Sequence, residues 1–367
     1  MNEFKYMSLA LKLAKKGKYT TSPNPMVGAV IVKDGKILAT GYHKKAGQPH
    51  AEINALSKLN FQAQNCEMYV TLEPCSHYGR TPPCADAIIR SGIRKVVIAT
   101  LDPNPLVNGK GVEKLKNAGI EVVCGVLEEK AKKLNEKFFK YITTKIPFVA
   151  LKIAQTLDGK IALKNGESKW ITSEKSREYV HKLRMEYDAV LTGIGTILKD
   201  DPQLNVRLKK VYKQPLRIIL DSKLKIPLSA KVLEDPSKVI ILTTALADKE
   251  KLEELRSKGV EVIITNEKNG IVDLESALKI LGEKKITSVM VEAGPTLLTS
   301  FLKESLFDKI YLFIAPKIFG ADSKSVFSEL GLEDISKSQK FSLESVKKIG
   351  EDLLLELYPK QLKKLEE

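Results

Sequence analysis

Little in this chain could cross-link it or anchor it in a membrane. Four cysteines serve 367 residues. That is too few for the disulfide framework of a small secreted domain, and it leaves metal binding, catalysis or burial as their uses. No apolar run approaches the ~18 residues that a membrane span requires. The opening MNEFKYMSLALKLAKKG has neither the basic start nor the small-residue cleavage site of a signal peptide. It reads as an amphipathic helix capped at Asn2 and stopped at Gly17. A cytoplasmic protein is expected. There is one tryptophan, and there are four histidines. Repeats and low-complexity tracts are lacking.

Acidic residues are in deficit, and unevenly so. The chain carries a formal +15. Residues 1–145 hold 23 Lys and Arg against 12 Asp and Glu, a net +11, and the remainder holds 37 against 33, a net +4. A basic first half suits an anionic small substrate or a nucleic acid, and equally a solvated lysine-rich surface. Apolar residues make up 43%, enough for real cores, and the length predicts two domains.

The pattern of elements is α/β. MVGAVIV and ILATG flank Asp34-Gly35, a hairpin signal. A helix follows from about His50 to Leu59, then the strand MYVTLE and a helix from near Pro82. RKVVIAT, a helix near 111–118, IEVVCG and one long charged helix ending near Tyr141 complete the first half. The segment 143–147, TTKIP, is a linker candidate, so the domains are expected at 1–145 and 146–367. The second half opens with the β-rich PFVALKIAQTLDGKIAL. A helix over Ser173–Tyr187 and the strands DAVLTG, LRIILD, KVIILTT, VEVIIT, ITSVMVE and KIYLFIAP follow. Two runs, 341–348 and 353–358, pair antiparallel through Gly350, and a charged helix ends the chain. Strands alternating with helices predict sheets covered by helices. Cys66 and Cys124 lie in apolar surroundings and are expected in the core.

Three histidines, His43, His50 and His77, cluster with Cys75 and Cys84. Glu52 stands two residues after His50. The order His-x-Glu, Pro-Cys, Cys is the logic of a zinc deaminase, in which one His and two thiolates bind Zn²⁺ and the Glu is not a ligand. Cys84 follows Pro82 and Pro83, which suit a first helical turn. A thiol there is expected to have a lowered pKa and so be ready to bind metal. Three ligands leave a fourth position for water, and Glu52 is placed to take its proton. A closed structural site using His77 is the alternative. It suffers from the two-residue spacing of His77 from Cys75, and it leaves Glu52 without a task. The cysteines are eight residues apart, where Cys-x-x-Cys is usual. The insertion SHYGRTPP adds a His and an Arg beside the metal.

The stretches HAE, EPCSHYGRTPPC and SPNPMVGAVIV resemble the deaminase half of the RibD family of bifunctional riboflavin-biosynthesis proteins. The resemblance implies a cytidine-deaminase-like N-terminal domain. It also implies that Asn24, His43, His77 and Arg80 line a pocket for a pyrimidine ribose-phosphate.

Two strand–glycine–helix junctions mark the second half, AVLTGIGTIL and VMVEAGPTLLTSFL. Exposed N–H groups at a helix start favour phosphate. Leu198 occupies the third glycine position of a dinucleotide fingerprint, so a dinucleotide site of another type is expected. Trp170 lies in the polar segment NGESKWIT, which suits a face packed on a cofactor or a domain interface. ALKIAQTLDGKIA, GESKWIT, GIGTILKDDPQLNVR and EAGPTLLTSFL resemble the reductase half of the same family. That implies a dihydrofolate-reductase-like domain using NADPH, with Ala154, Trp170, Thr196, Asp200, Ser222, Gly294, Pro295 and Thr296 on the cofactor. Ser168, Arg184, Leu204, Arg207 and Glu292 would contact the substrate. Arg184 and Arg207 suit a phosphate. No proton donor for the reduction stands out; Asp200 is the nearest by position. The expected partner is a small phosphorylated pyrimidine, with no nucleic acid and no membrane, and the chain is expected to form a homo-oligomer.

Overall fold

The computed structural model describes residues 2–76, 82–104 and 107–360. His77, Arg80 and the last seven residues, where a terminal helix was expected, lie outside the described residues. The chain divides into two compact units, Met1–Lys145 and Ile146–Glu367.

In the first unit the chain runs α1 (Asn2–Ala14), β1 (Gly28–Lys33), β2 (Lys36–Tyr42), α2 (Ala51–Leu56), β3 (Glu67–Val70), α3 (Cys84–Arg90), β4 (Lys95–Ile98), α4 (Lys110–Asn117), β5 (Glu121–Cys124), α5 (Glu128–Leu134) and α6 (Glu136–Thr144). The strands form one sheet in the order β2-β1-β3-β4-β5. The Asp34-Gly35 turn has positive φ at both residues, 48° and 74°. That is the geometry a two-residue hairpin demands. β3 is antiparallel to β1, and β4 and β5 continue in parallel.

Alternation along the strands feeds two cores. Ala29, Ile31, Met68 and Val70 face the layer containing α2 and α3, and Val30, Val32 and Tyr69 face α1. Gly41 lets α2 lie close on β2, because a Cβ there would sit 2.1 Å from the Ala51 carbonyl oxygen. β5 is an edge strand. Cys124, expected in the core, is therefore exposed, whereas Cys66 is buried. The long charged helix is also two helices, broken at Asn135.

The second unit runs β6 (Phe148–Thr156), β7 (Lys160–Ala162), α7 (Glu174–Glu186), β8 (Ala189–Gly193), α8 (Ile194–Asp200), β9 (Leu216–Leu220), β10 (Val239–Thr243), α9 (Lys249–Ser257), β11 (Glu261–Ile264), β12 (Glu267–Lys268), β13 (Ile271–Val272), α10 (Leu274–Glu283), β14 (Ser288–Val291), α11 (Pro295–Lys303), β15 (Lys309–Ala315), β16 (Lys324–Ser325), β17 (Phe341–Ile349) and β18 (Asp352–Pro359). Nine strands form its sheet, in the order β11-β10-β9-β8-β14-β6-β15-β18-β17. It is parallel up to β15 and closes with the antiparallel β17–β18 hairpin through Gly350.

Both faces of the parallel strands are buried, which explains their unbroken apolar runs. Ala150, Val190, Ile219 and Met290 point to one layer, and Val149, Leu191, Ile218 and Val289 to the other. In such sheets ligands bind outside the carboxyl ends of the strands.

Candidate active sites

The first site forms where two helices begin. His50 is the extended residue preceding α2, with φ −70° and ψ 171°. Glu52 lies in the first turn. Cys75 follows β3 on an irregular segment, and Cys84 opens α3 behind Pro83. The possible ligand atoms of His50, Cys75 and Cys84 all lie within 4.8 Å of one another. His50 Nδ1 is 3.3 Å from Cys84 Sγ and 3.7 Å from Cys75 Sγ. Tetrahedral zinc, with bonds of about 2.0 Å to nitrogen and 2.3 Å to sulfur, has N···S edges of about 3.5 Å. The donor set and its spacing fit that ion.

Proton distribution within the cluster differs from expectation. A hydrogen bond from Cys84, assisted by His50, lowers the Cys75 thiol to about 4. Cys84 goes the other way, because it donates to Cys75 and is buried. The start of α3 donates its first N–H, from Cys84, to Cys75 Sγ at 3.3 Å. The helix start therefore stabilises its neighbour's thiolate. His50 rises to about 9, chiefly through its bond to Cys75.

Glu52 is 3% exposed, and burial raises its carboxyl pKa. Its Oε2 is buried without a hydrogen-bond partner among the described residues. Such an atom is costly unless something absent satisfies it.

Asn24 and His43 sit beside this cluster. Asn24 Nδ2 donates to His43 Nε2 at 3.3 Å, and His43 Nδ1 donates to the Pro49 carbonyl at 3.2 Å. Burial lowers the His43 pKa, in keeping with this neutral tautomer. Its ring stands edge-on to that of His50, 5.3 Å between centroids.

Sequence reasoning missed Glu73. Its buried carboxylate accepts from the N–H groups of Asp102, Gly109, Gly111 and Val112 at 2.9–3.2 Å. It ties the segment carrying Cys75 to the start of α4. No local pattern marks it, because its partners lie 29–39 residues away.

In the second unit a cavity of about 1120 Å³ opens at the carboxyl ends of β6, β8, β9 and β14. Its walls include Ala154, Ser168, Trp170, Arg184, Thr196, Asp200, Leu204, Arg207, Ser222, Glu292, Gly294, Pro295 and Thr296. These are all the residues singled out in this half. Gly193 and Gly294 immediately precede α8 and α11, and Pro295 begins α11. Trp170 is 63% exposed, with the Arg177 guanidinium 4.4 Å over its ring. It is not a core residue.

Arg184 is paired within the cavity wall. Its Nε and Nη2 donate to the two oxygens of Glu292 at 2.6 and 3.0 Å, and Nη1 donates to the Asn205 carbonyl. Two of its five N–H groups remain. Lys152 Nζ lies 3.5 Å from Glu292. Burial opposes ionisation of Glu292, but Arg184 and Lys152 outweigh it and hold its pKa at about 2.

Lys152 was missed; its signal is the one charge in the apolar stretch FVALKIA. Arg207 Nη1 donates to Asn205 Oδ1 at 2.7 Å, and the Arg207 N–H donates to His181 Nδ1. Burial, with Arg184 and Arg207 nearby, lowers His181 to about 4.

The comparisons match each unit. A sequence profile described as the cytidine and deoxycytidylate deaminase zinc-binding region covers residues 1–100, and one described as the RibD C-terminal domain covers 147–355. The riboflavin biosynthesis protein RibD of Aquifex aeolicus (strain VF5) is 56% identical over 350 residues, 95% of this chain and 96% of that protein. That of Escherichia coli (strain K12) is 40% identical over 369 residues, covering 97% and 99%. The structure of Acinetobacter baumannii RibD, form 1, superposes with a TM-score of 0.90 at 43% identity, covering 98% of this chain and 99% of that one. A diaminohydroxyphosphoribosylaminopyrimidine deaminase/5-amino-6-(5-phosphoribosylamino)uracil reductase from Thermotoga maritima gives 0.85 at 44% identity, with the same coverage.

Fold and sites together define a cytidine-deaminase-like unit followed by a dihydrofolate-reductase-like unit. The chain belongs to the RibD family, the bifunctional deaminases and reductases of riboflavin biosynthesis.

Proposed function

We propose that the first unit hydrolyses the exocyclic amine of 2,5-diamino-6-ribosylamino-4(3H)-pyrimidinone 5′-phosphate, with Zn²⁺ held by His50, Cys75 and Cys84. The second unit then reduces the ribosyl chain with NADPH, giving 5-amino-6-ribitylamino-uracil 5′-phosphate. The observation that carries the first half is Glu52, a buried carboxylate with one oxygen unpartnered among the described residues, beside a three-donor cluster. Zn²⁺, when bound, supplies a Lewis acid that brings the pKa of water at its open position to about 7.

Glu52 is the proton carrier. Its raised pKa suits a group that both takes and returns a proton. It accepts the proton of the attacking water and passes it to the ring nitrogen, then takes the proton of the newly added hydroxyl and delivers it to the amine, which leaves as ammonia while the carbonyl forms. Asn24 and His43 orient the pyrimidine, and the family resemblance assigns His77 and Arg80 to the same substrate.

In the second unit the helix starts at Gly193 and Gly294 offer N–H groups to a dinucleotide diphosphate. Ala154, Trp170, Thr196, Asp200, Ser222, Pro295 and Thr296 complete the NADPH contacts. NADPH, when bound, supplies the hydride. Ser168, Leu204, Arg207 and the Arg184–Glu292 pair orient the ribose-phosphate, with Arg207 as its main cation. The free thiols of the metal site suit the reducing cytoplasm.

Incubation of the zinc-loaded chain with the diaminopyrimidine ribotide tests this order of events. Ammonia should appear without NADPH, and NADPH absorbance should fall only once deamination has begun. NADPH oxidation that precedes ammonia release would contradict the assignment.

A further inference from the structure

Asn135 interrupts what reads as one helix. It stands alone between α5 and α6, with φ −109° and ψ 23°. Its backbone is committed to the two helices. The N–H donates to the carbonyls of Ala131 and Lys132, and the carbonyl accepts from Phe139. Its side chain has no capping task. It is 3% exposed and reaches a segment 109 residues earlier. There Oδ1 accepts from the Met26 N–H at 2.8 Å, and Nδ2 donates to the Met26 carbonyl at 2.9 Å. The amide satisfies both main-chain groups of one residue, as a neighbouring strand would.

Met26 closes the turn that carries Asn24. On its other side the Asn24 N–H donates to the Thr21 carbonyl, and Val27 accepts from the His43 N–H. Asn24 thus hangs between fixed points. Its amide meets His43, whose ring bonds the carbonyl of Pro49, the residue before His50. Asn54 Nδ2 holds the same Pro49 carbonyl at 3.0 Å. A continuous chain of contacts leads from Asn135 to the edge of the metal cluster.

We propose that Asn135 is a positioning residue of the deaminase site. By holding both main-chain groups of Met26, it fixes the Asn24–His43 pair against which the pyrimidine is oriented. This rests on the reading of Asn24 and His43 as substrate contacts.

The test uses the full zinc-loaded chain and three variants. Asn135→Ala should raise the deaminase KM about tenfold, the loss expected for a displaced hydrogen-bond contact. Its kcat should stay within about threefold. Zinc per chain and NADPH consumption on already deaminated ribotide should stay normal.

Asn135→Asp is nearly isosteric. Ionised, it sets an anionic oxygen against the Met26 carbonyl; protonated, it regains a donor. Its KM relative to the parent chain should therefore be near one at low pH and climb as the carboxyl ionises. A ratio that stays flat across pH would overturn the proposal. So would loss of zinc or of the folded first unit in the variant but not in the parent chain at pH values where the carboxyl is neutral, because Asn135 would then be a stability residue only. Asn24→Ala separates the underlying reading. If it leaves KM unchanged, the substrate role of Asn24 fails. If it raises KM while both Asn135 variants do not, the positioning role fails.

Discussion

Cys75 and Cys84 show how one residue type divides its labour. In the absence of metal Cys75 carries the charge and Cys84 the proton, since each thiol shifts the other. Both must be thiolates and His50 must be neutral to hold zinc, so binding near neutral pH releases one proton from Cys84 and one from His50. Cys75→Ala or Cys84→Ala leaves two protein ligands, and either should reduce zinc from about one per chain to a small fraction of that. Cys66→Ala should keep full zinc, because Cys66 is buried away from the cluster in the core of the first unit. Metal analysis of the three purified variants decides the matter, and full zinc in both ligand variants would remove the assignment. That His50, Cys75 and Cys84 come together was legible because their spacing and chemistry are particular. Lys152 was not, because one charge within a strand also fits ordinary alternation.

At the level of elements, the candidate metal site depends on where α2 and α3 begin and on the segment after β3. Glu73 ties that segment to the start of α4 through four backbone donors. A hydrogen bond to a charged acceptor is worth about 1.5–3 kcal/mol, and a buried donor left unpaired adds its own cost. Glu73→Ala should destabilise the first unit by at least about 3 kcal/mol and weaken zinc retention, since Cys75 follows two residues later. Denaturant unfolding with and without a chelator measures both effects; an unchanged midpoint would show that the four bonds are not needed.

The order of strands and helices was readable from periodicity and turn chemistry. The break at Asn135 was not. Its charged flanks continue a helical pattern, and the partner that explains it lies at Met26. The exposure of Cys124 was hidden for a related reason. A short apolar strand reads alike at a sheet's edge and centre, and only the pairing order distinguishes them.

Across the whole molecule, the two units should fail separately. Arg207 lines the cavity of the second unit, whereas His50, Cys75 and Cys84 all belong to the first. Loss of a charge-assisted contact costs about 1.5–3 kcal/mol, so Arg207→Ala should weaken reduction by about ten- to a hundredfold. Ammonia release should stay normal. Equal losses in both activities would mean that the two sites are not independent.

Glu52→Gln tests the central claim most directly. The amide keeps the size of the carboxylate but cannot carry the proton. General acid–base groups contribute about 10²–10⁴-fold, and the role proposed for Glu52 spans several transfers. Ammonia release should fall by at least about a thousandfold with zinc fully retained, while NADPH oxidation on already deaminated ribotide proceeds at the parent rate. Near-normal ammonia release from the zinc-loaded variant would contradict the account.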